Sequence, residues 1–195
     1  MKRYGLVGYP LGHSFSQKYF SKKFEGLNIS HSHAYHVFEI ESLSDFPEIW
    51  DRYPDLEGVN VTIPYKIEIL PFLDEIDVSA SGVKAVNVIK KKGNKLIGYN
   101  SDVFGFKQSL DAWLMGVEVE ALIFGSGGSS LAVQAGLQAL NIPFKIVSRE
   151  ATKGDLTYSQ LHQEPSIIDR HYLLINTTPK GMSPNIEEGP PIPYD

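Results

Sequence analysis

Short apolar runs alternate with segments of helical periodicity along the chain, and no internal repeat appears. Tyr4 to Gly8 reads as a buried strand, followed by a polar loop through Ser16. Gln17 to Phe24 sets Tyr19, Phe20 and Phe24 at helical spacing. Ala34 to Ile40 predicts a second strand, Ser42 to Tyr53 a second helix, and Gly58 to Ile63 a third strand. Pro64 suits the first turn of a further helix. Ala85 to Ile89 and Lys95 to Ile97 predict a hairpin across Gly93-Asn94. Ser101 is placed to cap a helix running through Trp113. After Gly116 the pattern restarts with strand Ala121 to Phe124, a glycine-rich turn, helix Ser129 to Leu140 and strand Phe144 to Val147. Tyr172 to Ile175 is one more strand. This alternation predicts the α/β class, with mostly parallel sheets and helices on both faces. The helix from Ser101 to Trp113 is the natural connector, so we expect two domains, residues 1–102 and 103–195.

Composition narrows the chemistry. The 195 residues are 42% hydrophobic and 21% charged, a globular balance. A net charge of -5 argues against a general nucleic-acid surface. The absence of cysteine removes disulfides, thiolate zinc sites and cysteine nucleophiles, and fits a reducing compartment. Lys2 and Arg3 precede an apolar stretch broken by Gly5, Gly8, Pro10 and Gly12, so no signal peptide is expected. The run Ala121 to Phe124 is far too short to cross a bilayer. A cytoplasmic protein with no membrane partner is the expectation, and nothing in the sequence sets an oligomeric state. His31, His33 and His36 alternate unsuitably for a common metal, because on a strand the third faces away from the first two. No metal site is expected. Lys90-Lys91-Lys92 reads as a solvated hairpin turn.

Gly125-Ser126-Gly127-Gly128-Ser129-Ser130 follows an apolar strand and opens a helix. That context marks a dinucleotide fingerprint, in which the glycines permit the turn and let a pyrophosphate approach the helix N-terminus. Ser130 stands where the common pattern has its third glycine. The second strand of this unit leads into Ser148-Arg149-Glu150. Arginine here suits the 2′-phosphate of NADP and an acid suits the ribose of NAD. Arg149, with Lys153 four residues on, favours NADP over NAD, and Glu150 is the discordant residue. From Gly181 onward the sequence is rich in proline and glycine and shows no final helix. A dinucleotide-binding sheet would be left short there, so the second domain is expected to be incomplete in this chain.

In the first half, polar groups stand at predicted strand ends: Ser14 and Ser16, Asn60 to Lys66, Asn87, and Asn100 to Asp102. Ligands of open α/β sheets bind beyond such ends. Hydroxyls and amides suit a small polyhydroxylated acid, and a lysine with an aspartate can manage a proton. Taken singly, each residue has an ordinary structural use, such as a cap, a loop amide or a solvated lysine.

Several segments together resemble one family. Val7-Gly8-Tyr9-Pro10-Leu11-Gly12-His13-Ser14-Phe15-Ser16 resembles the opening motif of shikimate dehydrogenases. Gly58-Val59-Asn60-Val61-Thr62-Ile63-Pro64-Tyr65-Lys66 is similar to their lysine motif. Ala85-Val86-Asn87 with Gly98-Tyr99-Asn100-Ser101-Asp102 is similar to their third. The Gly125 turn, Ser148-Arg149 and Ile175 to Met182 resemble the cofactor domain in order. The resemblance implies a substrate-binding α/β domain followed by a Rossmann-type domain, and reversible reduction of 3-dehydroshikimate to shikimate by NADPH. It implies that Ser14 and Ser16 hold the substrate carboxylate and that Thr62 and Asn87 bond its hydroxyls. Lys66 and Asp102 become the catalytic pair. Gly125, Ser126, Gly127, Gly128, Ser129, Ser148, Arg149, Lys153 and Thr178 become the cofactor-binding set. Gln17, Tyr19-Phe20, Ser148 and Glu150 depart from the family's usual residues. Quinate/shikimate dehydrogenase shares the scaffold, and a non-catalytic binding module is the reading from another class.

Overall fold

The computed structural model describes residues 1–12 and 15–194, in two units, Met1–Ser101 and Asp102–Asp195. The strands of the first unit are β1 (Lys2–Gly8), β2 (His33–Glu39), β3 (Leu56–Val61), β4 (Glu75–Ile76), β5 (Val88–Lys92) and β6 (Lys95–Tyr99). They form one six-stranded sheet in the order β2-β1-β3-β5-β6-β4. β1 runs parallel to both β2 and β3. The β5–β6 hairpin then enters antiparallel to β3, and β4 adds parallel to β6, so the sheet is mixed, with parallel pairings in the majority.

Alternation along the strands decides what each face buries. Val7, Val59, Val61 and Ile89 meet Phe46 and Ile49 of α2 (Phe46–Arg52) in the larger core, with Ile69 fully buried among them. Each such aliphatic or aromatic side chain contributes about 1.5–3 kcal/mol by leaving water. On the other face Leu6 and Tyr35 pack under Phe20 and Phe24 of α1 (Phe15–Gly26). Phe20 stacks on Tyr35 with ring centroids 4.6 Å apart. Beside them, on the same face, lies an open groove of about 340 Å³ lined by Tyr4, Phe24, Tyr35, Asn60 and Val88.

Two expected helices differ. The segment Ser42 to Tyr53 divides into a 3-10 turn, Leu43–Asp45, capped by the Ser42 side chain, and then α2. No helix opens at Pro64. Residues 63–69 form hydrogen-bonded turns that lead into a 3-10 turn, Leu70–Phe72. Tyr65 is buried there, and its hydroxyl donates to the Ile40 carbonyl at 2.7 Å. Pro71 has no N–H with which to carry a helix further. A short helix, α3 (Val78–Ser81), follows with Asp77 as its cap.

The second unit contains α4 (Asp102–Leu114), β7 (Ala121–Phe124), α5 (Gly128–Ala139), β8 (Phe144–Ser148), β9 (Leu156–Thr157), α6 (Tyr158–Gln163), α7 (Ser166–Asp169) and β10 (Leu173–Asn176). Its four strands are all parallel, in the order β10-β7-β8-β9. Counted from β9, that is third, second, first, fourth, the doubly wound order. Chain direction therefore switches sides between β7 and β10. α4 and α5 cover one face through Leu110, Val133 and Leu137. Leu161 of α6 and Ile167 of α7 cover the other, against Leu122, Phe124 and Val147. Gly136 lets α4 and α5 approach, since a Cβ at this position would lie 2.6 Å from the Phe106 ring.

Candidate functional site

The polar segments of the first unit converge through its backbone. The N–H of Thr62 donates to Val7 O at 2.9 Å, joining the ends of β1 and β3. Gly8 leaves room for this, because a Cβ there would lie 2.5 Å from the Thr62 methyl. The N–H of Val61 donates to Asn87 O at 2.9 Å, and the N–H of Val86 donates to Lys66 O at 2.7 Å. Thr62, Lys66 and Asn87 are thus fixed side by side although 25 residues of chain separate the first from the last. Asn87 is 8% exposed. Its side chain accepts from the Ser101 N–H at 2.9 Å and donates to the Ser101 hydroxyl at 3.0 Å. Asn100 donates to Ala85 O at 2.9 Å, which holds the strand end beside Asn87. Thr62 and Lys66 are half-buried.

Two further residues belong to this cluster. The Tyr35 hydroxyl donates to Asn60 Oδ1 at 2.8 Å, and Asn60 lies in hydrogen-bond range of Asn87 O. Ser16, in the first turn of α1, meets the same phenol. Burial pushes the Tyr35 phenol up to about 12, against a smaller downward pull from the Ser16 hydroxyl. The phenol is therefore a hydrogen-bond donor throughout the physiological range. Tyr35 carries no signal in the sequence, since it reaches the cluster across the sheet rather than through its chain neighbours. Asn60 does carry one, an amide where the strand alternation runs Val59-Asn60-Val61. Ser14 lies outside the described residues. Asp102 is the first residue of α4 and stands in the second unit.

In the second unit the glycine-rich turn joins β7 to α5 at the switch point. Gly125 has φ +106, which excludes most side chains, and a Cβ there would lie 2.8 Å from Thr177 Oγ1. Thr177 follows β10, and its hydroxyl donates to Phe124 O at 2.8 Å. The next residue, Thr178, bonds Asn176 Oδ1 through its N–H at 2.9 Å. Gly127 caps α5 without any side-chain bond to the helix. No atom lies within 4 Å of its absent Cβ. Gly128 and Ser129 open the helix, whose first N–H groups and dipole present a site for an anion. Ser130 is fully buried against the sheet, where a glycine would otherwise pack. Ser126 and Ser148 bring their hydroxyls to 3.4 Å, joining the turn to the end of β8. Arg149 is exposed just beyond. These residues fit a dinucleotide, with open space at Gly127, donors at the helix start and a cation at the second strand end. Among the described residues no group of three or more His, Asp or Glu is placed to hold a metal ion. No helix of the described residues is long and apolar enough to cross a membrane.

A polar cluster with a lysine, followed by a doubly wound unit with a dinucleotide turn, fits a nicotinamide-dependent oxidoreductase. Residues 6–89 match the family model of the shikimate dehydrogenase substrate-binding domain. The chain is 35% identical to the shikimate dehydrogenase (NADP(+)) of Halothermothrix orenii, covering 96% of this chain and 71% of that protein. It is 37% identical to the enzyme of that name from Methanococcus maripaludis strain C6, covering 100% of this chain and 74% of the relative. The crystal structure of shikimate dehydrogenase 1 from Peptoclostridium difficile superposes with a TM-score of 0.81 at 35% identity, over 95% of this chain and 70% of that one. The chain belongs to the shikimate dehydrogenase family.

Proposed function

We propose that this chain carries the shikimate dehydrogenase activity, the reversible NADPH-dependent reduction of 3-dehydroshikimate to shikimate on the route to aromatic amino acids. One observation carries the assignment of the site. Two backbone bonds, Val61 N–H to Asn87 O and Val86 N–H to Lys66 O, hold the lysine, the threonine and the asparagine of separate motifs in a single framework. Ser14 and Ser16 hold the substrate carboxylate, and Thr62 and Asn87 orient its hydroxyls. Tyr35 and Asn60 support this set from beneath by holding Ser16 and the Asn87 strand in place. Lys66 holds and moves the proton at the reacting oxygen, where its positive charge also stabilises the negative charge that develops. Asp102 acts with Lys66.

NADP(H), when bound, supplies or takes the hydride. Gly125, Ser126, Gly127, Gly128 and Ser129 receive its pyrophosphate. Thr178 borders the turn from the β10 side. Ser148, Arg149 and Lys153 would hold the adenosine ribose, and Arg149 would suit the 2′-phosphate by its fork of donors. A cytoplasmic setting belongs to the same proposal and is supported by the cysteine-free sequence.

Lys66→Ala tests the catalytic assignment. We expect kcat for shikimate oxidation to fall about 10²-fold or more, as for other positioned acid–base groups, with the thermal unfolding profile retained. A change in KM alone would return Lys66 to a binding role. Assaying quinate beside shikimate separates the two substrates of the scaffold.

A further inference from the structure

The residues after β8 contain one cation too many and one anion too many for a simple ribose site. Glu150 follows Arg149, and its N–H donates to the Ser148 hydroxyl at 3.3 Å, so its backbone is anchored at the strand end. The chain then turns through Ala151–Lys153, and the Lys153 N–H donates to Glu150 O at 3.0 Å. That turn brings Lys153 Nζ to 2.9 Å from Glu150 Oε1. The two side chains are 58% and 59% exposed. Arg149 makes no ion pair among the described residues and lies near the Tyr158 hydroxyl.

At this place in a dinucleotide fold a carboxylate reads the ribose hydroxyls of NAD, and cations read the 2′-phosphate of NADP. Here both kinds of group are present, and they are bonded to each other. A carboxylate repels a phosphate, while the same carboxylate in an ion pair is nearly neutral. An exposed pair is held weakly, so Lys153 is contested between Glu150 and any phosphate brought within its reach.

We propose that Glu150 sets the strength of cofactor preference by competing for Lys153. Arg149 alone would grip the 2′-phosphate while Lys153 stays paired, and Glu150 would keep the lysine from completing a two-cation grip. Preference for NADP over NAD is thereby held below what the same turn would give with a neutral residue at position 150. The proposal rests on the dinucleotide-binding assignment above.

Isothermal titration of the chain with NADP⁺ and with NAD⁺ tests it without any turnover. For Glu150→Gln we expect the Kd for NADP⁺ to fall about two- to fivefold, the size of a released exposed charge pair, while that for NAD⁺ stays unchanged. Adding Lys153→Met to the same variant should abolish the gain. Both positions are exposed, so neither change disturbs a core. An unchanged or weaker NADP⁺ affinity in Glu150→Gln would overturn the proposal, as would equal tightening of both dinucleotides. A gain that persists in the double variant would overturn it too, by showing that Glu150 acts through its own repulsion. Failure of the unmodified chain to bind either dinucleotide would instead remove the dinucleotide assignment, and this proposal with it.

Discussion

Replacing Tyr35 by Phe removes one oxygen from beneath the substrate cluster and leaves the ring stack on Phe20 in place. The lost bond is the 2.8 Å donation to Asn60 Oδ1, from a residue only 6% exposed. Leaving that part-buried carbonyl without its donor costs about 1–1.5 kcal/mol. The phenol adds a pH signature. Its folded pKa, about 12, lies above the unfolded value of 10.0. A raised pKa on an acid that is neutral when protonated stabilises the fold below the unfolded pKa, and this is lost as pH rises from 10 toward 12. By pH 11, midway between the two values, about half of the shift is lost, about 1.4 kcal/mol, and solvent screening reduces this to about 1 kcal/mol. The wild-type advantage over Tyr35→Phe should therefore be about 1–1.5 kcal/mol at pH 8 and nearly gone at pH 11. The two tryptophans make the measurement specific, since Trp50 lies in the first unit and Trp113, 67% exposed, in the second. Urea unfolding followed by Trp50 emission, in a Trp113→Phe background, reads the first unit alone. The absence of a gap at pH 8 would refute the bond, and a gap that stays constant or widens between pH 8 and pH 11 would refute the linkage.

Two other perturbations address separate levels. Ser16→Ala should raise the Kd for shikimate roughly tenfold, from the loss of a hydroxyl bonded to a carboxylate, and unchanged calorimetry would confine this serine to supporting Tyr35. Gly136→Val should destabilise the second unit by about 1–3 kcal/mol through overpacking, because its Cβ would lie 2.6 Å from the Phe106 ring. Denaturation followed by Trp113 emission should report that loss with the first unit unaltered, and an unshifted midpoint would mean that α4 and α5 separate at no cost.

Motifs that are contiguous in sequence were legible because they carry their own context. The Gly125 turn announces itself by an apolar strand before it and a helical pattern after it, and β7 and α5 stand there. The Gly93-Asn94 hairpin was equally plain, although its first strand begins at Val88 rather than Ala85. The backbone of Asn87 explains the shift, since it is drawn to Val61 and Tyr99 at the site rather than into the regular ladder. Pro64 misled because a proline suits the first turn of a helix, while residues 63–69 bond only as turns. β9, α6 and α7 were illegible for another reason. A two-residue strand and helices of six and four residues are too short to show a period. Tyr35 and Thr177 escaped because each reaches its site from a neighbouring strand, and register is not written in local spacing.

The two units present their ligands with different physics. On the function proposed above, the first unit would meet the carboxylate and hydroxyls of a small acid with serines, a threonine and amides, with Lys66 as the cation assigned to the chemistry. Neutral donors held by backbone bonds carry a modest desolvation cost, so the framework of Asn87, Asn100 and Ser101 can be fully bonded before a substrate arrives. Discrimination would then come from geometry, because groups held fixed by these bonds cannot follow a hydroxyl placed elsewhere on an analogue. In the second unit the ligand's phosphates would meet helix N–H groups at a turn kept open by Gly127, and an exposed arginine beyond β8. Charge does the selecting there, and charge at an exposed edge is cheap to retune. On that proposal a single carboxylate at position 150 would alter the preference between two dinucleotides without touching the core, whereas the proposed substrate site would have to rebuild bonds that also hold the end of the sheet together.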